Sequence, residues 1–238
     1  MNLVVPAVLP TSREDLLEKL ALLSPLSRVS RIQIDVVDGV FATPASWPYS
    51  APLEFERMVK RGDELPNFDR IAYEIDLMCR DTDRAASAWI ELGARRLVFH
   101  AESIPNLAQH LKAARVRYAG DIGSAELVSF GVALNVESDL ALLEPCLDCV
   151  EFVQFMGIAT IGRQGQPFDE RVIPKVRVFH EKHPQIPIQV DGGVSLVTAK
   201  KLLGAGVSNL VVGSGILKAS DPEAALAQFE ALRSIGTV

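Results

Sequence analysis

Short, almost wholly apolar runs recur along the chain at Leu3–Leu9, Arg31–Val37, Ile71–Met78, Arg96–His100, Gly131–Asn135, Cys149–Met156, Ile186–Val190 and Asn209–Val212. Continuous apolar character, rather than strict alternation, is what a strand covered on both faces requires. Between these runs lie segments with a helical period. Ser12–Leu23 aligns Leu16, Leu17, Leu20 and Leu23 on one stripe and opens on Ser12, an N-capping residue type. Asp81–Leu92, Asp169–His180, Leu196–Leu203 and Pro222–Leu232 read the same way. Arg115–Phe130 is longer than an ordinary connection and reads as an insertion or an extra helix before the fifth strand.

Strands alternating with helices predict a parallel sheet, and eight strands are the number that closes a (β/α)8 barrel. No linker-like stretch interrupts the series, so residues 1–238 are expected to form one domain. A doubly wound open sheet is compatible with the alternation. It lacks its G-x-G-x-x-G turn after the first strand, where this chain has Pro6-Ala7-Val8-Leu9-Pro10.

Composition narrows the function classes. The chain has 238 residues, 48% of them hydrophobic and 23% charged, enough for a substantial core. A net charge of −6 with scattered Lys and Arg argues against a nucleic-acid partner. No apolar run approaches the roughly 20 residues of a membrane span. The opening Met1-Asn2-Leu3-Val4-Val5-Pro6 does not read as a secretory leader, so a cytoplasmic location is expected. Cys146-Leu-Asp-Cys149 has neither a second pair nor a nearby His to make a zinc site, and reads as a helix end running into a strand.

In a (β/α)8 barrel the chemistry lies at the carboxyl ends of the strands. Alternation puts Gln33, Asp35 and Val37 on one face of the second strand, and Glu74, Asp76 and Met78 on one face of the third. Asp191 ends the seventh strand, so Asp35, Asp76 and Asp191 are expected to converge at the mouth, with Glu74 one layer deeper. One such Asp is often only a helix N-cap; three at matching positions point to a site. With the Gln33 carbonyl they offer four oxygen donors, a set suited to Mg²⁺, Mn²⁺ or Ca²⁺. Gly192-Gly193 after the seventh strand and Gly213-Ser214-Gly215 after the eighth occupy the recurrent phosphate site of this fold. The Gly162-Arg163-Gln164-Gly165-Gln166 loop reads either as a flap over the same ligand or as an ordinary flexible loop. His100, in His100-Ala101-Glu102, reads as a hydrogen-bonded pocket-wall residue, while His110, His180 and His183 read as surface residues. Trp47 and Tyr49 read as a lid, a subunit contact or local packing.

Several of these stretches together resemble the ribulose-phosphate 3-epimerase family over nearly the whole chain. They are Ile34-Asp35-Val36-Val37-Asp38-Gly39-Val40-Phe41, Asp76-Leu77-Met78, Phe99-His100-Ala101-Glu102, Gly131-Val132-Ala133-Leu134-Asn135, Gly165-Gln166-Pro167-Phe168, Val190-Asp191-Gly192-Gly193-Val194 and Val212-Gly213-Ser214-Gly215-Ile216. The resemblance implies that Asp35 and Asp191 are acid/base residues on opposite faces of a ketose-phosphate C3. It also implies a divalent metal between them, phosphate on Gly192, Gly193, Gly213 and Ser214, and a homo-oligomer. Departures stand beside it: Gln33 and Asp76 occupy positions where the family carries metal-binding His, Ala7 replaces a Ser, and the sixth loop is lengthened around Gln154–Ile161. Two other functions stay open. One is a non-catalytic sugar-phosphate binder. The other is a keto-gulonate-phosphate decarboxylase or hexulose-phosphate synthase, which Asp76 and Asp81 resemble but Met78 does not, since it stands where those enzymes need Lys.

Overall fold

The computed structural model describes residues 2–118 and 128–235. Eight parallel strands, β1 (Val4–Val8), β2 (Arg31–Val37), β3 (Ala72–Met78), β4 (Arg96–His100), β5 (Ser129–Leu134), β6 (Phe152–Met156), β7 (Ile188–Asp191) and β8 (Asn209–Val212), pair in sequence order. β8 returns to β1 through Val4 beside Leu210 and Pro6 beside Val212, which closes the barrel. The helices are α1 (Arg13–Leu23), α2 (Pro52–Arg61), α3 (Thr82–Glu91), α4 (Leu107–Tyr118), α5 (Val172–Lys182), α6 (Leu196–Leu203), α7 (Ser214–Leu217) and α8 (Pro222–Glu230).

Local chemistry starts these helices where the side chains predict. Ser12 caps α1 by accepting from the Asp15 N–H, and Asp81 caps α3 by accepting from the Arg84 N–H. Ser195 and Thr198 form a reciprocal box at α6. Elsewhere the pattern misleads. The apolar run from Cys149 begins as the end of a 3₁₀ helix, Glu144–Cys149, and the strand starts only at Phe152. Asp169 lies outside α5, which begins at Val172. The α2 segment is not among the helices expected from the sequence, although it is amphipathic and opens on Pro52; Met58 is its one buried residue. Of the expected insertion, Arg115–Tyr118 is the last turn of α4 and Ser129 already belongs to β5; residues 119–127 lie outside the described residues.

The main core lies between the sheet and its helices, where Ile32, Ile34, Ile75, Leu97, Phe99, Phe130, Val153 and Phe155 meet Leu16, Leu20, Trp89 and Phe179. Trp47 belongs to it: buried, edge-on to Phe55 and Trp89 at 5.4 and 5.9 Å, and donating Nε1 to Glu54 Oε2 at 3.0 Å. That is local packing rather than a lid. The imidazoles of His110, His180 and His183 are partly buried, not surface groups. Inside the barrel the filling is different. Its floor carries the Glu74 carboxylate with the Arg96 and Arg31 guanidiniums, and Arg96 stacks 4.1 Å from the centre of the Phe152 ring. Phe152 fits there because its neighbour across the sheet is Gly131, where a Cβ would overlap the ring carbons.

Candidate active site

The register of the sheet brings the acidic residues together. Asp35 and Asp76 stand side by side on β2 and β3, and Asp191 ends β7 beside Met156 of β6. One carboxylate oxygen from each of the three lies within 4.8 Å of the others. They form a gradient of depth: Asp191 is partly exposed, Asp35 is 6% exposed and Asp76 is fully buried. Burial and then the Asp76 carboxylate push the Asp35 carboxyl up to about 7. Burial, then Asp35 and Asp76, hold Asp191 well above the usual carboxylate range. Like charges withdrawn from water disfavour one another, so the group tends to keep a proton or attract a cation.

Asp76 faces inward more than outward. His100 Nε2 meets its Oδ1 at 3.0 Å, and Gln154 Nε2 donates to its Oδ2 at 2.9 Å. Burial alone works against charging His100, but the Asp76 carboxylate overcomes this and raises the imidazole pKa. His100 therefore stands behind Asp76, covered by the Phe41 ring at 5.2 Å, and does not form the cavity wall expected of it. Gln33 also differs from expectation. Its Nε2 donates to Asp35 Oδ1 at 2.9 Å and its Oε1 turns down toward Gln189, so the carbonyl oxygen is not offered to the carboxylate cluster.

Above the acids opens a cavity of about 640 Å³, lined by Ala7, Asp35, Met78, Met156, Asp191, the 162–166 loop and the glycine loops after β7 and β8. Gly192 and Gly193 have φ of +101° and +67°, which favour glycine. At Gly193 a Cβ would come within 2.6 Å of the Phe168 Cα. Gly213 caps α7, with Ser214 as its first residue. The 162–166 loop reaches this rim. Gly165 faces open space, and Gln164 directs a buried Nε2 with no hydrogen-bond partner toward Gly213, 3.0 Å from where a Cβ would stand. Sequence reading passed over Gln154 and Gln189. Their signal was a polar side chain two positions before the mouth residue of an apolar strand, as at Gln33 and Glu74.

The closed parallel barrel, with carboxylates and glycine loops after β7 and β8 at its mouth, places the chain in the (β/α)8 class, in which those loops recur as phosphate sites. The chain belongs to the ribulose-phosphate 3-epimerase family, whose profile matches residues 4–217. The ribulose-phosphate 3-epimerase of Bacillus subtilis (strain 168) is 32% identical over 203 residues, spanning 83% of this chain and 84% of that one. That of Mycobacterium leprae (strain TN) is 26% identical over 231 residues, spanning 94% and 92%. Among solved structures, KGPDC from Streptococcus mutans superposes with a TM-score of 0.69 at 17% identity, covering 99% of this chain and 98% of that one. A 3-hexulose-6-phosphate synthase gives 0.62 at 22%, covering 98% and 99%. At such identity these two share the barrel fold. No helix among the described residues is long and apolar enough to cross a membrane.

Proposed function

We propose that this protein inverts C3 of a ketose phosphate, ribulose 5-phosphate or a close analogue, with Asp35 and Asp191 as the proton-transferring pair. The observation that carries this reading is the closeness of two acids with raised pKa values beside a glycine-walled cavity. The phosphate rests on the N–H groups of Gly192, Gly193, Gly213 and Ser214, with Gly165 above it. Met78 shapes the sugar end of the cavity, and His100 holds Asp76 from behind. Burial and mutual repulsion raise both carboxyls, which favours a pair that shares a proton, with one carboxyl ionised as the base and the other protonated as the acid. The ionised carboxylate takes the C3 proton, which the adjacent C2 carbonyl acidifies, and leaves an enediolate. The protonated carboxyl then returns a proton to the opposite face. The pair ends with its roles exchanged, ready for the reverse direction.

Three carboxylates with oxygens within 4.8 Å fit a hard divalent cation such as Mg²⁺ or Mn²⁺, held by Asp35, Asp76 and Asp191. Gln33, turned the other way, leaves that set. When bound, such an ion neutralises the charge that grows on the substrate oxygens. The reading includes a self-associating assembly, which light scattering checks.

The test is ribulose 5-phosphate in deuterated water. Deuterium at C3 together with xylulose 5-phosphate supports the epimerase. Binding without exchange supports a non-catalytic binder, and release of carbon dioxide or formaldehyde supports a lyase. Metal analysis of protein purified without chelator, with no divalent ion and no response to added Mn²⁺ or Mg²⁺, would remove the cation from the mechanism.

A further inference from the structure

Beneath the acids runs a chain of buried polar side chains that the proposed proton transfer does not use. It starts at Glu74 on the barrel floor. Its Oε2 accepts from Arg96 Nε at 2.6 Å and Arg31 Nη1 at 3.4 Å, and its Oε1 accepts from Gln189 Nε2 at 2.8 Å. Gln189 Nε2 also reaches Gln154 Oε1 at 2.7 Å and, more distantly, Gln33 Oε1 at 3.4 Å. Gln154 Nε2 then donates to Asp76 and Gln33 Nε2 to Asp35, both at 2.9 Å. Glu74, Gln33 and Gln154 are fully buried, and Gln189 is 1% exposed.

This chain has a direction. A carboxylate can only accept, so the Glu74 charge requires the nitrogen end of the Gln189 amide to face it. That nitrogen then requires the oxygen end of Gln154, and to a lesser degree of Gln33, to face down. Each amide has one other end, and it points up as an N–H donor. Reversing any one of them would set an amide oxygen against a carboxylate or against another carbonyl, with no water at hand to relieve it.

We propose that Glu74 is a positioning residue. Its charge, locked by Arg96 and Arg31, sets through Gln189 the direction in which Gln154 and Gln33 present N–H donors to Asp76 and Asp35. This rests on the proposed epimerase reading, because the benefit is the fixed placement of carboxylates that must meet a substrate carbon closely; misplacement by about 1 Å can cost on the order of a hundredfold in rate. A neutral group at the floor leaves the amides free to turn.

Gln189→Met tests it while leaving the Glu74–Arg96 and Glu74–Arg31 ion pairs in place; Glu74→Gln tests the source of the direction. In folded Gln189→Met, kcat should fall about tenfold with KM within about twofold, since the glycine loops that meet the phosphate are untouched. Side-chain amide NMR on glutamine-labelled protein gives a second readout: slow exchange of the Gln154 and Gln33 amide protons in the wild type, lost in both variants. A folded Gln189→Met with wild-type kcat, or with its Gln154 amide still protected, overturns the proposal. If Glu74→Gln fails to fold, Gln189→Met alone decides. A wild type that neither epimerises nor exchanges C3 refutes the epimerase reading instead, and amide protection then decides whether the relay stands.

Discussion

Asp35→Asn should make the folded protein more stable above neutral pH while abolishing epimerisation. Burial and the Asp76 carboxylate push the Asp35 carboxyl up to about 7 from 3.8. Between those values the folded protein keeps a proton that the unfolded chain releases, so stability falls as pH rises through the window. Below pH 3.8 both states are protonated and nothing is lost; above about 7 both are ionised and the cost is complete. At roughly 1.4 kcal/mol per pH unit this cost is about 4 kcal/mol. Asn keeps the shape and still accepts from Gln33 Nε2, so the substitution removes the charge and little else. It also relieves Asp191, for which Asp35 is the second cause of the raised pKa after burial. For a chain of this size, about 4 kcal/mol corresponds to roughly 10 °C in Tm. The assay is a pair of thermal melts at pH 4, 6 and 8 in chelator, without phosphate. The variant should match the wild type at pH 4 and exceed it most at pH 8, and added Mn²⁺ should narrow the gap by favouring the wild type. Melting curves that superimpose at every pH, or a gap that widens as pH falls, would refute the reasoning.

Gly131→Ala should destabilise the barrel by about 1–3 kcal/mol, because the new methyl overlaps a Phe152 ring held by the Arg96 guanidinium; an unchanged urea midpoint would show that Phe152 moves aside freely. Gly193→Ala combines φ +67° with a Cβ 2.6 Å from the Phe168 Cα, and should raise KM and the inorganic phosphate Kd about tenfold with a smaller change in kcat. Calorimetry with phosphate checks this, and wild-type affinity would remove the β7 loop from the phosphate site. Gln164→Ala should raise KM several-fold, about the loss of one buried donor to an anion, since its Nε2 faces the cavity rim without a protein partner; unchanged steady-state kinetics would count against a ligand contact.

Much of this architecture was readable from the amino-acid pattern. β2, β4, β8 and α6 fall where periodicity puts them, because each is a strand buried on both faces or a helix with a clear cap and stripe. α2 was passed over although its polar and apolar residues segregate clearly around the helix; Met58 is the one residue it buries. The convergence of Asp35, Asp76 and Asp191 followed from alternation alone, because inward residues at strand ends have one place to go in a closed barrel. What alternation cannot give is the rotation of an amide. Whether Gln33 offers its oxygen or its nitrogen depends on Gln189 and Glu74, on two strands that the local sequence around Gln33 does not mention. His100 went astray for the same reason: its position at a strand end predicts the cavity wall, but its bond to Asp76 turns it behind the acid.

Gln33 and Asp76, where the family resemblance leads one to expect imidazoles, change the charge of the proposed site as well as its donors. With Gln33 withdrawn and Asp76 added, the proposed ligand set is all carboxylate, a set that would favour Mg²⁺ or Mn²⁺ over ions that prefer nitrogen. Restoring the imidazoles by combining Gln33→His with Asp76→His should therefore shift preference toward Zn²⁺. The double variant removes one negative charge from the cluster, which also lowers the repulsion that raises Asp35 and Asp191. Calorimetry on chelator-stripped protein should show the Zn²⁺-to-Mn²⁺ affinity ratio rising about tenfold or more over the wild type. A folded double variant with the wild-type ratio would mean that the residues at 33 and 76 do not select the ion. Selection would then lie with Asp35 and Asp191 alone, and the part given to Asp76 in choosing the cation would fail.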